Sequence, residues 1–273
     1  MPHPASEPRY LRRGNVRLHY RSAGQGPTLL LLHGIPDFWN GWRYQIDHFS
    51  RTYRVVAMDL RGVNLSDKPT DVRAYEMTEL VRDVIGLMDH LEVVHASIVG
   101  HDWGAIIGWW TAILAPRRVA RLATLSAPHP ICYVAASESG NLHYSPHFRS
   151  QLVAAAPGDS FDIDQLSKWV PNAVARAELA EALARSDIEC LRNFYRANKT
   201  TPSAIMAKLP PVAVPVLAMF GDRDRYIAPA TYYQSATYVA AEYQLITVAQ
   251  GGHYLHHEAF HRVNDELQRW LAR

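Results

Sequence analysis

The sequence lacks any long apolar run. None approaches the roughly 20 consecutive residues that a membrane-spanning helix needs, so we expect no membrane span. Cysteine is scarce: Cys132 and Cys190 are the only two in 273 residues, which argues against a disulfide framework. Residues 1–7 do not show the basic-then-apolar pattern of a signal peptide, and we therefore expect a cytoplasmic protein with reduced thiols.

An excess of charge of either sign is also lacking. Lys and Arg number 28 and Asp and Glu number 26, which leaves a formal net charge of +2. No basic block stands out, so we expect neither a nucleic-acid partner nor an anionic membrane surface as a partner. Hydrophobic residues make up 48% of the chain, which is enough for a sizeable core. A small molecule is the expected partner, and a homodimer is left open.

Strand patterns alternate with helical patterns through the first 128 residues. Short apolar runs at 28–32, 53–60, 95–99 and 119–125 predict strands, and the apolar spacing within 75–91 predicts a helix. Buried strands that are separated by helices predict a mainly parallel sheet covered on both faces.

The alternation stops after Pro128 and resumes near residue 210. The intervening segment, 129–209, shows helical and loop patterns without a convincing strand. The later patterns predict strands at 212–220 and 243–248 and helices at 231–241 and 257–271. Active sites in open α/β sheets lie at the carboxyl ends of the strands, so we expect 129–209 to cap a core made of 1–128 and 210–273.

Gly100-His101-Asp102-Trp103-Gly104 lies between a strand-like run and a helix-like run. This is the context of a nucleophile elbow, a sharp turn with small residues around one exposed side chain. The usual occupant is serine, and here it is Asp102. A carboxylate has a reference pKa of about 3.9 and needs no base to become a nucleophile, which favours attack on a saturated carbon.

Two further signals follow strand ends later in the chain. Asp224 comes after the strand that ends at Phe220; Asp222 shares the same turn, and we favour Asp224 as the functional acid. His253 comes after the strand that ends near Val248. The order nucleophile, acid, histidine is the order expected in α/β-hydrolases.

A fourth signal is His33-Gly34-Ile35-Pro36, which follows the strand at 28–32. The backbone N–H of Ile35 can join that of Trp103 as an oxyanion hole.

The alternative to a catalytic role for His253 is a metal site formed by His253, His256 and His257. No acidic or cysteine residue has ligand spacing with them, so we predict no metal.

Five motifs carry a family resemblance. They are 33–39 (HGIPDFW), 59–66 (DLRGVNLS), 100–104 (GHDWG), 221–224 (GDRD) with Pro229, and 252–253 (GH) followed by Glu258. With these motifs the chain resembles the α/β-hydrolase superfamily and, within it, the epoxide hydrolases and the related haloalkane dehalogenases. The resemblance implies an α/β-hydrolase fold with a helical cap, a pocket between cap and sheet, and no cofactor.

The resemblance also implies a two-step reaction. Asp102 displaces a leaving group from carbon and becomes an alkyl ester. His253, oriented by Asp224, then activates a water that attacks the ester carbonyl, and the N–H groups of Ile35 and Trp103 hold the oxyanion. With an epoxide as substrate, the product of the two steps would be a vicinal diol.

Epoxide opening needs an acid beside the departing alkoxide. Epoxide hydrolases resemble one another in using two cap tyrosines for this, and the segment 193–196 (NFYR) resembles the one that carries the second of them, so Tyr195 is the predicted acid. The first tyrosine has no match. Ser150 falls at the expected place, His147 shares its helical face and is the predicted partner of Tyr195, and Tyr144 is a further candidate.

Two other functions remain as alternatives. Dehalogenases resemble one another in placing an asparagine after His-Gly, and this chain has Ile35 there, which favours an epoxide. The other alternative is a non-catalytic ligand-binding protein on the same scaffold. The aromatic residues Phe38 and Trp39, together with Trp103, are predicted to line an apolar pocket, and hence to select a neutral, apolar epoxide.

Overall fold

The structure, a computed structural model, describes residues 7–140, 152, 156, 162–198, 206 and 208–273. The predicted positions Tyr144, His147 and Ser150 lie outside these residues. Eight strands form one sheet in the order β1-β2-β4-β3-β5-β6-β7-β8. Their bounds are β1 Arg9–Arg13, β2 Val16–Ala23, β3 Thr28–Leu32, β4 Arg54–Met58, β5 Ala96–His101, β6 Val119–Leu125, β7 Val216–Gly221 and β8 Tyr243–Val248.

The sheet is parallel from β4 to β8, and only β1 and β2 run antiparallel to their neighbours. The central strands are apolar on both faces, because helices cover both faces of the sheet. Leu29 to Leu32 of β3 and Ile98 and Val99 of β5 are fully buried. All the parallel strands end at the same edge, which is where the functional side chains were expected.

Ten α-helices occur among the described residues. They are α1 Arg43–Phe49, α2 Met77–His90, α3 Trp103–Leu114, α4 Pro130–Glu138, α5 Ile163–Ser167, α6 Ala173–Arg185, α7 Ile188–Ala197, α8 Pro229–Ser235, α9 Leu255–Glu258 and α10 Phe260–Leu271. Helix α3 packs on β5, β6 and α2, and α1 packs on α10. In this part of the chain no helix has the length and apolar character to cross a membrane.

Several predicted boundaries were wrong. The strand predicted at 212–220 pairs continuously only from Val216, because Pro215 has no N–H to donate to the ladder. The helix predicted at 231–241 begins at Pro229, ends at Ser235 and continues as one 3₁₀ turn to Tyr238. The helix predicted at 257–271 is divided into α9 and α10 at Ala259, where the backbone leaves the helical region.

The turn between β5 and α3 packs too closely for ordinary side chains. Asp102 has φ 50° and ψ −120°, outside the regions that a non-glycine residue normally adopts. A Cβ on Gly104 would lie 2.0 Å from the carbonyl oxygen of Leu32, and one on Gly34 would lie 2.5 Å from Cβ of Asp102. The glycines therefore let α3 and the loop after β3 approach the nucleophile turn.

Replacing Gly104 with alanine should destabilise the fold. The new methyl has only backbone to displace, so we expect Gly104→Ala to lower the free energy of unfolding by at least about 1–3 kcal/mol. Gly86→Ala, within α2, is the matched control, since its Cβ would meet only side chains, with the flexible Arg13 nearest at 3.2 Å and Leu11 at 3.9 Å. Urea denaturation measures both variants, and equal midpoints for the two would contradict the close packing at the turn.

Candidate active site

Asp102 lies at the end of β5 with its carboxylate held from one side. Its backbone N–H donates to the carbonyl of Leu125, the last residue of β6, at 3.1 Å. The N–H of Ile35 donates to its Oδ1 at 2.9 Å. The side chain is 19% exposed, so an oxygen remains accessible for reaction. The N–H of Trp103 is in the first turn of α3, where no carbonyl of the helix accepts it.

Asp224 and His253 form the second half of the arrangement. Nδ1 of His253 lies 2.9 Å from Oδ2 of Asp224, whose side chain is fully buried. The other carboxylate oxygen of Asp224 accepts the N–H of Tyr226 at 2.8 Å, which fixes the orientation of the acid. Asp222, the other acid of the turn, is exposed. The structure thus brings Asp224 rather than Asp222 to the histidine.

His253 lies between two carboxylates. Its Nε2 is 3.5 Å from Oδ2 of Asp102, on the side away from Asp224. Burial alone would lower the pKa of His253, but the charges and hydrogen bonds of Asp224 and Asp102 outweigh it and raise the pKa to about 10. The two neighbouring carboxyl groups therefore favour the protonated, imidazolium form of His253.

The loop that carries His253 is held at several points. The carboxylate of Glu258 accepts the N–H of Gly252 at 2.6 Å and that of Tyr254 at 3.2 Å. The carbonyl oxygen of His253 accepts two hydrogen bonds, from Nε2 of His101 at 2.9 Å and from the hydroxyl of Ser126 at 2.6 Å. Both donors lie at the ends of strands, β5 and β6, so the loop is tied to the sheet.

Two cavities lie beside this group. The smaller, of about 20 Å³, is bordered by Asp102 and His253, and its other described lining residues are Ile35, Tyr133, Tyr226, Ile227 and Tyr254. The larger, of about 390 Å³, has Trp103, Ile106, Trp110, Pro130, Val134 and Met206 in its wall, together with the polar residues Glu76, Thr78 and Asn198. Among the described residues, Tyr133 alone borders both. The smaller cavity has room for about one water molecule, so any larger ligand must extend beyond it.

The predicted aromatic residues fall into two groups. The ring of Tyr195, on α7, meets that of Trp103 edge to face, with centroids 5.1 Å apart, and Tyr195 is buried. Phe38 and Trp39 are buried next to each other in the core, with the guanidinium of Arg21 over the Trp39 ring. Trp103 lines the larger cavity, whereas Phe38, Trp39 and Tyr195 border neither of the two cavities.

Sequence reasoning missed two tyrosines of the site. The ring of Tyr226 lies 4.8 Å from that of His253. Tyr133, on α4, is the residue shared by the two cavities. A signal existed for the first, since it lies two residues after Asp224 at a strand end. Tyr133 lies eight positions after Leu125 and carries no comparable signal, because only the path of α4 brings it to the cavities.

An acidic partner for His256 and His257, which the sequence spacing did not indicate, is Asp37. Its Oδ2 lies 2.9 Å from Nε2 of His256 and 3.8 Å from Nε2 of His257. The three residues could offer a metal three donor atoms within 4.8 Å of one another. The contact between Asp37 and His256 already has the length of a charge-assisted hydrogen bond, and burial and His257 lower the pKa of His256 to about 4. This geometry is that of a neutral histidine that donates to a buried carboxylate.

Comparison with known proteins agrees with the fold. Residues 27–187 match the family model of the alpha/beta hydrolase fold. Epoxide hydrolase 2 of Caenorhabditis elegans is 30% identical over 239 residues, which cover 80% of this chain and 67% of that protein.

Crystal structures of a Bacillus megaterium epoxide hydrolase are similar over 97% of this chain and 100% of theirs. A methionine-to-alanine mutant gives a TM-score of 0.85 at 29% identity. A phenylalanine-to-alanine mutant in complex with its product, (R)-3-[1]naphthyloxy-propane-1,2-diol, gives 0.81 at 27% identity. The chain therefore belongs to the α/β-hydrolase fold family and, within it, to the epoxide hydrolases.

The raised pKa of His253 makes part of the stability depend on pH. The pKa of His253 is about 10 in the folded chain, against an ordinary value of about 6.5. Protonated His253 therefore stabilises the folded chain fully below pH 6.5, and this stabilisation is lost as the pH rises toward about 10. The difference in free energy of unfolding between wild type and His253→Gln should shrink over this interval in urea denaturation. The exposed His261→Gln is the control, and a constant difference for His253→Gln would contradict the imidazolium state.

Proposed function

We propose that this protein hydrolyses a neutral, apolar epoxide to a vicinal diol through an alkyl ester on Asp102. One observation carries the proposal: the Asp102 carboxylate lies between a backbone donor, the N–H of Ile35 at 2.9 Å, and the imidazole of His253 at 3.5 Å. A nucleophile, an oxyanion donor and a base thus meet at one carboxyl group. The family relationship supports an epoxide rather than a halide as the substrate.

The first step is nucleophilic displacement. A carboxylate oxygen of Asp102 forms a bond to an epoxide carbon while the carbon–oxygen bond of the ring breaks. The departing oxygen takes a proton from the phenol of Tyr195, the acid proposed on α7. The edge-to-face contact between Tyr195 and Trp103 supports this role, because it holds the phenol on the residue next to the nucleophile.

Ester formation prepares the second step by changing the charge of the site. Once Asp102 is an ester, one of the two anions beside His253 is gone, and the cause that raised its pKa weakens. The imidazolium then releases its proton to solvent, and solvent restores the proton that Tyr195 gave up. His253 thereby becomes a base at the point in the cycle where a base is needed.

Hydrolysis returns the enzyme to its starting state. His253 takes a proton from water, and the resulting hydroxide attacks the carbonyl carbon of the ester. The N–H groups of Ile35 and Trp103 are the proposed oxyanion donors, at roughly 3 kcal/mol each by analogy with other enzymes. Collapse releases the diol, whose alkoxide takes the proton of the new carboxyl group, and Asp102 and protonated His253 are regenerated.

The cavities support the proposed substrate class. The small cavity at Asp102 and His253 has room for about one water molecule, whereas the larger one can take an apolar body beside Trp103, Ile106 and Trp110. The bound product of the similar Bacillus megaterium structure is an aromatic ether diol, which also joins a polar end to an apolar body. We propose that segment 129–209 caps the site, since α7 within it carries Tyr195.

Trapping the ester tests the proposed function. His253→Gln incubated with styrene oxide should gain the mass of one substrate molecule, because alkylation proceeds and hydrolysis does not. Asp102→Asn is the matched control and should gain none. Intact-mass spectrometry followed by peptide mapping measures the adduct, and a His253→Gln protein without an ester on Asp102 would sink the proposal.

Tyr195 should act in the first step only. Removing its hydroxyl in Tyr195→Phe should slow alkylation by about 10²- to 10⁴-fold, the usual contribution of a general acid. In the double variant Tyr195→Phe/His253→Gln, the ester should therefore form more slowly than in His253→Gln. Mass spectrometry of samples quenched at successive times measures this rate. Tyr10→Phe, at a partly exposed position on β1, serves as the control. Equal rates of ester formation with and without the Tyr195 hydroxyl would assign the acid to another residue.

A further inference from the structure

We propose that His101 is a positioning residue, which sets the place of the catalytic base by fixing the backbone of His253 to the strand of the nucleophile. The proposal rests on the proposed function, since it assigns His101 a role in hydrolysis of the ester. His101 immediately precedes Asp102 at the end of β5, and its Nε2 lies 2.9 Å from the carbonyl oxygen of His253.

The direct contact between base and nucleophile does not set their spacing. Nε2 of His253 is 3.5 Å from Asp102, whereas charge-assisted hydrogen bonds are about 2.7–2.9 Å long. The backbone contacts are shorter: the His253 carbonyl receives His101 at 2.9 Å and the Ser126 hydroxyl at 2.6 Å. The main chain of the base is therefore located by donors at the ends of β5 and β6, while Asp224 orients its ring at 2.9 Å.

The chemistry of His101 suits a fixed donor. A carbonyl oxygen only accepts, so Nε2 must carry the proton. Burial, followed by the neighbouring His256 and His253, holds the pKa of His101 well below its ordinary value, and the ring remains neutral. Its Nδ1 has no hydrogen-bond partner among the described residues, which leaves the bond to His253 as the polar contact that orients the ring.

A second buried residue, His256, packs against the ring of His101. The ring of His256 lies against it, with centroids 4.4 Å apart, and donates from Nε2 to Asp37 at 2.9 Å. Asp37 follows Ile35 by two positions. The loops of the oxyanion donor, the nucleophile and the base are thus joined by a single group of buried side chains, with His101 at its centre.

Two substitutions separate a positioning role from a structural one. Glutamine can present an N–H close to where Nε2 of histidine lies, whereas leucine fills the space without a donor. In single-turnover reactions with styrene oxide, we expect His101→Leu to form the ester within about threefold of the wild-type rate and to hydrolyse it about 10- to 100-fold more slowly, as expected for a misplaced base. His101→Gln should restore hydrolysis to within about threefold of wild type by the same reasoning.

The controls distinguish the ways in which the proposal can fail. His19→Leu removes another fully buried histidine, which bonds to Asp59, and should change neither step. If His101→Leu and His101→Gln slow both steps alike, in proportion to their loss of stability in urea, the positioning role is overturned. If His101→Leu does not fold, Ser126→Ala removes the other donor and must show the same slow hydrolysis. Absence of any ester in His253→Gln would instead overturn the proposed function.

Discussion

The turn at Asp102 is the constraint on which the rest of the site depends. A residue with φ 50° is held there because β5 ends beside β6 and α3 starts at once, with Gly104 packed on the carbonyl of Leu32. A strained backbone conformation of this kind persists only where the packing of the surrounding structure holds the residue in it. The same turn aims the carboxylate at the N–H of Ile35 and at His253, so geometry and reactivity have one cause.

The two acids beside His253, Asp224 and Asp102, differ in their surroundings. The side chain of Asp224 is fully buried, accepts from the N–H of Tyr226 and contacts His253, which suits the orienting role proposed for it. Asp102 is 19% exposed and borders a cavity, so it can meet a substrate. Two carboxyl groups around one imidazole thus differ in burial and hydrogen bonding, as the different roles proposed for them require.

Much of the fold and of the proposed reactive group could be predicted from the sequence, because both depend on local signals. Apolar runs bounded by small residues mark the parallel strands, and the residues after them, Asp102, Asp224 and His253, meet because parallel strands end at one edge. Strand β1 was not predicted, since Arg9, Arg12 and Arg13 obscure its apolar pattern. Contacts between distant segments were also missed: Asp37 reaches His256 across 219 positions, and no spacing rule links them.

The residue that both cavities share has a consequence for how such an enzyme can diversify. Within the described part of the chain this residue is Tyr133, on α4, which supplies neither the hydrogen bond from Ile35 to Asp102 nor that between His253 and Asp224. Mutation at this one position can enlarge, shrink or polarise the room for a substrate while the reacting groups keep their alignment. Substrate range can therefore drift in steps of one side chain, and a lineage can explore new epoxides without first losing its chemistry.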